Sequence, residues 1–226
     1  PYWVGHMGRA YIQGVHEGSG GRVLTVAKHF PGHGASDRVP DDHVPTVNKT
    51  LEALKQSDLV PFLDVTTPNS ADPQATTDAM MPSHIRYRGF QGDGSQLTRP
   101  ISLDPEGMAA FFDLPTLRDW RSQGGLIVCD SLGVGGIKEF YDPDLESFPH
   151  RGVSQQAIMS GNDVLPVVNY KLQGGSWFSD SLPNIKDTVV YFREQYQVDK
   201  AFKARVDVAL RHILAAKLKL YPNLSL

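Results

Sequence analysis

The chain has 226 residues, 40% of them hydrophobic, and a formal net charge of −3 at pH 7. These values are typical of an ordinary globular protein with one core, and they exclude a strongly basic surface. We therefore expect neither nucleic acid nor an anionic membrane surface as a partner. We also expect no transmembrane segment, because no run of about 18 apolar residues occurs.

The first predicted elements are a helix and a strand separated by glycines. Apolar residues recur on one side of a helix over 8–17, and the glycine-rich run at 18–21 should end it. An apolar run then predicts a buried strand at about 23–28. Thr50 follows a polar loop and is the predicted N-cap of the next helix.

Strands and helices alternate along the rest of the chain. A strand, a helix and the clearest strand of the chain are predicted at 78–84, 105–121 and 125–130. A helix, a fourth strand and two closing helices are predicted at 152–161, 163–168, about 184–196 and 199–220. This order predicts an α/β fold with a parallel sheet.

Four strand–helix units are half of a (β/α)8 TIM barrel, which needs about 250 residues when complete. We therefore interpret residues 1–226 as one partial barrel domain, the carboxyl-terminal half, truncated at the amino terminus. The chain opens at Pro1 without an initiator methionine or a signal-peptide pattern, so the sequence does not indicate the compartment. Cys129, the single cysteine, cannot form an internal disulfide and lies in an apolar run.

Residues 28–43 carry most of the chemistry of the chain. They read KHFPGHGASDRVPDDH and directly follow the first predicted strand. In barrels and open α/β sheets, catalytic groups lie at the carboxyl ends of the strands. We therefore expect the functional site to include residues of this segment.

Asp130 ends the most strand-like segment of the chain. A carboxylate in that position can act as nucleophile, general base or orienting group. The alternative is that Asp130 only caps the next helix.

The triplet Asp41-Asp42-His43 is the second constellation. A carboxylate two residues from a histidine can orient the ring and favour proton transfer near neutral pH, although a solvated loop histidine is the alternative. A third reading is a zinc site of His29, His33, His43 and Asp41, but their spacings match no standard zinc pattern. We expect neither a metal nor any other cofactor.

The segment KHFPGHG, the later D-x-H loop and the apolar strand ending in aspartate resemble the catalytic barrel of glycoside hydrolase family three. The chain looks most like the bacterial β-N-acetylhexosaminidase branch. AMMPSHIRY, VCDSLGVGG and AIMSGNDVL match later strands and a helix of that family, so the resemblance covers nearly the whole chain.

The resemblance implies roles for individual residues. Asp130 would be the nucleophile that forms a covalent glycosyl-enzyme, and His43 the acid/base, held by Asp41 as its dyad partner. Lys28 and His29 would hydrogen-bond sugar hydroxyls. His33 would shape its loop, and the resemblance suggests a cis bond between Phe30 and Pro31.

The implied function is a retaining exo-glycosidase acting on GlcNAc-terminated glycans or muropeptides. Retention needs a nucleophile on one face of the sugar and an acid/base on the other. Two alternatives stay open: a β-glucosidase or β-xylosidase type of the same family, and a non-catalytic carbohydrate-binding relic of the barrel. The family's other sugar-binding groups come from strands before Pro1, so we expect the isolated 226 residues to be inactive or weakly active.

Overall fold

The computed structural model of the chain describes residues 1–68, 72–91, 98–172 and 174–221. Within these ranges, no helix combines the length and the apolar character that crossing a membrane requires.

Helices and short strands alternate along the described chain, as the sequence pattern predicts. In chain order they are α1 (Tyr2–Ser19), β1 (Val26–Phe30), β2 (Thr46–Val47), α2 (Leu51–Gln56), α3 (Val60–Thr66), β3 (Ala79–Pro82), β4 (Arg86–Tyr87), α4 (Pro105–Phe112), α5 (Pro115–Ser122), β5 (Leu126–Ile127), α6 (Gly135–Tyr141), α7 (His150–Met159), α8 (Leu182–Val198) and α9 (Lys200–Leu220). Short 3₁₀ turns occur at 73–75 and 101–103, and a π-helical turn at 177–181 leads into α8.

The central sheet is parallel, in the order β1-β3-β5. Val26 pairs with Ala79, and Ala79 pairs with Leu126 on its other side. Parallel neighbours require a crossover connection, and here the crossovers contain helices. The predicted α/β class with parallel strands is therefore confirmed, whereas the described residues do not form a complete barrel.

The fourth predicted strand, at 163–168, is reduced to a single parallel bridge between Val128 and Val164. The Cys129 N–H donates to the Val164 carbonyl at 2.9 Å, and the Val164 N–H donates to the Ile127 carbonyl at 3.1 Å. Pro166 has no N–H and cannot extend this ladder. The strand prediction was thus right in position and direction but wrong in length.

Other boundaries also differ from prediction, and β5 covers only two residues of the strand predicted at 125–130. Two of the differences have identifiable local reasons. The helix predicted over 105–121 is two helices, α4 and α5, because Leu114 takes an extended conformation before Pro115. The first strand begins at Val26, later than predicted, because the Thr25 N–H donates to the Asp78 carboxylate at 2.7 Å. The Thr50 cap is confirmed by a hydrogen bond from the Ala53 N–H at 3.2 Å.

Two apolar clusters support the sheet. One packs Phe30 and Met80 of the sheet against Phe62 and Phe111 of the helices. The other lies beneath the segment after β5 and includes the side chains of Cys129, Leu132, Ile137 and Tyr170. The carboxyl end of β5 and the start of α6 therefore rest on a packed base.

Charged side chains form a hydrogen-bonded network at the amino-terminal ends of the strands, opposite to their carboxyl ends. Asp163 is fully buried and accepts hydrogen bonds from Arg121 at 2.8 Å and from Arg205 at 2.9 Å. Burial alone would raise the pKa of Asp163, but hydrogen bonds from His212 and Arg121 outweigh it and hold that pKa well below its usual range. This network is structural and lies away from the residues at 28–43.

Candidate active site

The parallel sheet brings His29 and Asp130 together, although they are far apart along the chain. His29 lies near the end of β1, and Asp130 follows β5. The His29 Nε2 atom is 3.7 Å from the Asp130 Oδ2 atom. That separation is longer than a hydrogen bond, but it places both groups at one edge of the sheet.

The Asp130 carboxylate is held by the backbone that follows it. The Ser131 N–H donates to Asp130 Oδ1 at 2.8 Å. The Ser131 carbonyl oxygen in turn lies 2.9 Å from Nε2 of His84, which is fully buried. Since a carbonyl can only accept, His84 Nε2 carries the proton.

His84 is a site residue that the sequence reasoning missed. With Nε2 protonated, a neutral ring leaves Nδ1 as an acceptor for the Ser102 hydroxyl, at 2.7 Å. The available signal was its position directly after a buried strand, which is also where His29 and Asp130 lie. Its role was hidden because both partners come from distant segments.

Both histidines near Asp130 are shifted toward the neutral form. Burial is the largest effect and lowers the pKa of His29 and of His84. The charges of Asp130 and Asp41 oppose that shift in each case without reversing it. Neutral imidazoles beside Asp130 keep a hydrogen-bonding capacity without neutralising its charge.

The loop at 28–34 has the backbone that the motif implies. The predicted cis bond between Phe30 and Pro31 is present, and the bond between Lys28 and His29 is also cis. The Tyr87 hydroxyl donates to the Gly32 carbonyl at 2.8 Å. The rings of His29 and His33 lie 5.1 Å apart.

The loop that carries the D-x-H triplet is anchored on the amino terminus of α6. The Gly136 N–H donates to the Asp41 carbonyl at 2.9 Å. A Cβ atom at Gly136 would lie 2.7 Å from the His43 carbonyl carbon, which is too close for any other residue. The glycines after Asp130 therefore let the D-x-H loop approach the segment that follows Asp130.

His43 contacts a different carboxylate from the one expected. Its Nδ1 atom lies 2.6 Å from Oε2 of Glu139 on α6. Across the described residues, no hydrogen bond or ion pair joins the side chains of Asp41 and His43. The carboxylate in contact with His43 in this structure is thus that of Glu139, which the sequence reasoning did not consider.

The candidate residues line two separate cavities. Lys28, His29 and His33 line a cavity of about 910 Å³ that also contains the Lys49–Asp58 ion pair. Asp41, Asp42 and His43 line another of about 640 Å³, with Gly133, Gly135, Lys138 and Lys171. Gly133, three residues after Asp130, lines the second cavity, but Asp130 itself does not.

The candidate zinc ligands do not form a metal cluster. In the part of the chain that the structure describes, no three His, Cys, Asp or Glu side chains are grouped closely enough to hold a metal ion. Cys129 is a buried free thiol, and burial raises its pKa well above the usual value.

Comparison with known proteins identifies the family. The model described as "Glycosyl hydrolase family 3 N terminal domain" matches residues 1–176. The chain belongs to glycosyl hydrolase family 3. The resemblance carried by KHFPGHG is therefore confirmed.

Relatives within glycosyl hydrolase family 3 share one name. A "Beta-hexosaminidase" of Tolumonas auensis is 28% identical over 186 residues, which are 81% of this chain and 47% of that protein. A "Beta-hexosaminidase" of Xylella fastidiosa is 30% identical over 140 residues, or 61% of this chain and 35% of that protein. The chain thus spans less than half the length of each of these relatives.

A solved family 3 structure supports the fold. The family 3 beta-N-acetylglucosaminidase from Paenibacillus sp. str. FPU-7 aligns with a TM-score of 0.69 and 21% identity, covering 98% of this chain and 35% of that chain. At this identity the alignment supports the fold and not the substrate.

Proposed function

We propose that the natural protein containing this chain is a retaining exo-glycosidase that hydrolyses terminal β-linked N-acetylglucosamine. The observation that carries the proposal is the placement of His29 and Asp130 3.7 Å apart at one edge of the parallel sheet. The name shared by the family 3 relatives supports the preference for an N-acetylhexosamine.

In the proposed mechanism, Asp130 attacks the anomeric carbon and forms a covalent glycosyl-aspartate. His43 protonates the leaving oxygen and then removes a proton from the water that releases the sugar. Lys28 and His29 hydrogen-bond sugar hydroxyls. A neutral imidazole as the base avoids a second anion beside Asp130, which two carboxylates would create.

His43 and Asp130 must flank one sugar for this chemistry. The cavity lined by His43 also includes Gly133, three residues after Asp130, although Asp130 itself does not line it. The anchoring of the Asp41 carbonyl on Gly136 supports such a shared site, since it ties the acid/base loop to the nucleophile segment. Asp41 stays a candidate partner for His43 because it lies two residues away.

We also propose that residues 1–226 belong to one barrel domain of the (β/α)8 type, as its carboxyl-terminal half. The parallel order β1-β3-β5 and the parallel bridge at Val164 support this arrangement. The carbohydrate substrate of the whole protein, a GlcNAc-terminated glycan or muropeptide, follows from the proposed activity.

The test is hydrolysis of aryl β-GlcNAc against aryl β-glucoside by the natural protein that contains the chain. We expect a preference for the GlcNAc substrate and a loss of about 10²- to 10⁴-fold on His43→Ala, greatest for poor leaving groups. A preference for β-glucoside with a harmless His43→Ala would instead indicate the β-glucosidase type. Sugar binding without turnover would indicate a non-catalytic barrel.

A further inference from the structure

The side chain of His43 contacts helix α6 and not its own loop. The His43 Nδ1 and Glu139 Oε2 atoms are 2.6 Å apart, and both side chains are about half-exposed. The two residues are 96 positions apart in the sequence, so the tertiary fold creates this pair.

The contact has a defined chemical consequence for the imidazole. An ionised carboxylate can only accept a hydrogen bond, so Nδ1 of His43 must carry a proton. In the neutral ring, Nε2 is then the unprotonated nitrogen. Nε2 is therefore the atom that can exchange a proton with a leaving oxygen or a water molecule.

A backbone hydrogen bond between the loop and α6 helps to set the position of Glu139 relative to His43. The Asp41 carbonyl accepts from the Gly136 N–H at 2.9 Å, which fixes the loop on the first turn of α6. Glu139 lies three residues further along α6, about one turn away. The same helix thus holds both the loop and the carboxylate that the ring contacts.

Asp41 is not the group that the His43 ring contacts. Asp41, His43 and Glu139 line the same cavity. Among the described residues, the hydrogen bond of the His43 ring is made with Glu139 and not with Asp41.

We propose that Glu139 is the positioning residue for His43: it orients the ring and fixes the tautomer that presents Nε2 for proton transfer. The proposal rests on the proposed function, because it assigns a partner to the proposed acid/base residue.

A double-mutant cycle tests the proposal in the natural protein that contains the chain. We expect Glu139→Ala to lower turnover of aryl β-GlcNAc by about tenfold, part of the roughly 10²- to 10⁴-fold that proton transfer by a positioned group contributes. The loss should be greater for poor leaving groups than for activated ones, with KM little changed. In the His43→Ala background, Glu139→Ala should have no further effect, since both changes remove the same function.

The matched control is Glu146→Ala, an exposed glutamate in the loop that follows α6. It removes the same charge from the same region and should leave turnover unchanged. Glu139→Asp should recover part of the lost activity, which a general loss of helix stability would not allow. Circular dichroism of each variant checks that the fold is kept.

A spectroscopic measurement tests the tautomer directly. The ¹⁵N shifts of the His43 ring, in its neutral form, should show the proton on Nδ1 in the wild type and a shift toward the Nε2–H form in Glu139→Ala. An unchanged tautomer would overturn the proposal.

Two kinetic outcomes would also overturn it, and each is distinct from failure of the proposed function. One is a wild-type or higher turnover of Glu139→Ala while His43→Ala is impaired, as would occur if Glu139 held His43 in an inactive position. The other is a loss of turnover on Glu139→Ala that is as large in the His43→Ala background as in the wild type. Wild-type turnover of His43→Ala would contradict the proposed function itself and not only the role of Glu139.

Discussion

At the scale of single residues, the site depends on polar groups that hold the reacting side chains. Sequence reasoning placed His29 and Asp130 at one edge because the carboxyl ends of parallel strands meet there. It did not find Glu139 or His84. Their contacts join segments 96 and 47 residues apart, and such pairings depend on side-chain directions that no spacing reveals.

The first prediction concerns His84. Replacement by Leu removes the contacts to Ser102 and to the Ser131 carbonyl, so Asp130 should lose its fixed position. We expect a large fall in kcat and a destabilisation of about 1–3 kcal/mol from the unpaired buried groups. Ser102→Ala removes only one of these contacts and serves as the milder control. Wild-type kcat in a folded His84→Leu variant would show that His84 does not support the nucleophile.

At the scale of elements, the start of α6 brings the D-x-H loop close to the segment after Asp130. The sequence shows a glycine-rich helix start after Asp130, but it does not reveal which segment packs against these glycines. The structure shows that its glycines admit the backbone of the D-x-H loop. The split of α4 from α5 was also missed, although the sequence carries a signal for it, because Pro115 restricts the conformation of Leu114.

Gly136→Ala tests this packing. The added methyl group would overlap the His43 carbonyl carbon, at 2.7 Å, and should push the loop away from α6. We expect turnover to fall while circular dichroism stays unchanged. Gly152→Ala on α7, where a Cβ atom has open space, is the control and should behave as the wild type. Full activity of Gly136→Ala would mean that the loop does not need this contact.

The Asp163 network should dominate acid stability at the other end of the strands. Since the pKa of Asp163 is lowered by folding, its contribution is present above the unfolded value of about 3.9 and is lost as pH falls toward the lower folded value. Asp163→Asn leaves Arg121 and Arg205 without their buried partner, so we expect a loss of about 3–5 kcal/mol at neutral pH. The difference in free energy of unfolding between Asp163→Asn and the wild type should become smaller under acid conditions.

Urea unfolding at several pH values measures this effect. Asp119→Asn is the matched control, because Asp119 forms an exposed pair with Arg118, 65% and 62% exposed respectively. It should change stability by less than about 1 kcal/mol. Equal effects of the two substitutions would contradict the structural role of Asp163.

At the scale of the whole molecule, one side of the described structure is apolar and uncovered. Trp3, Met7 and Tyr11 of α1 are 75%, 69% and 73% exposed, and Val26 of β1 is 42% exposed. Sequence reasoning placed the first helix at 8–17. It did not predict that α1 begins at Tyr2, so that the first turns of α1 carry part of this apolar surface.

A surface of this kind promotes association in water. We expect Trp3→Ser combined with Met7→Ser to increase the monomeric fraction of the 226-residue chain in sedimentation velocity. Val198→Ser changes an equally exposed apolar residue at the end of α8 and should have little effect. An unchanged distribution in the double variant would show that this face does not drive association.

The most direct test of the account is to identify the residue that bonds to the sugar. The natural protein would be incubated with an activated, 5-fluorinated aryl β-GlcNAc, which slows release of a glycosyl-enzyme, and its peptides analysed by mass spectrometry. The account predicts one 5-fluoro-N-acetylhexosaminyl adduct on the peptide containing Asp130, absent from Asp130→Asn. An adduct on another residue, or turnover with inversion and no adduct, would contradict it.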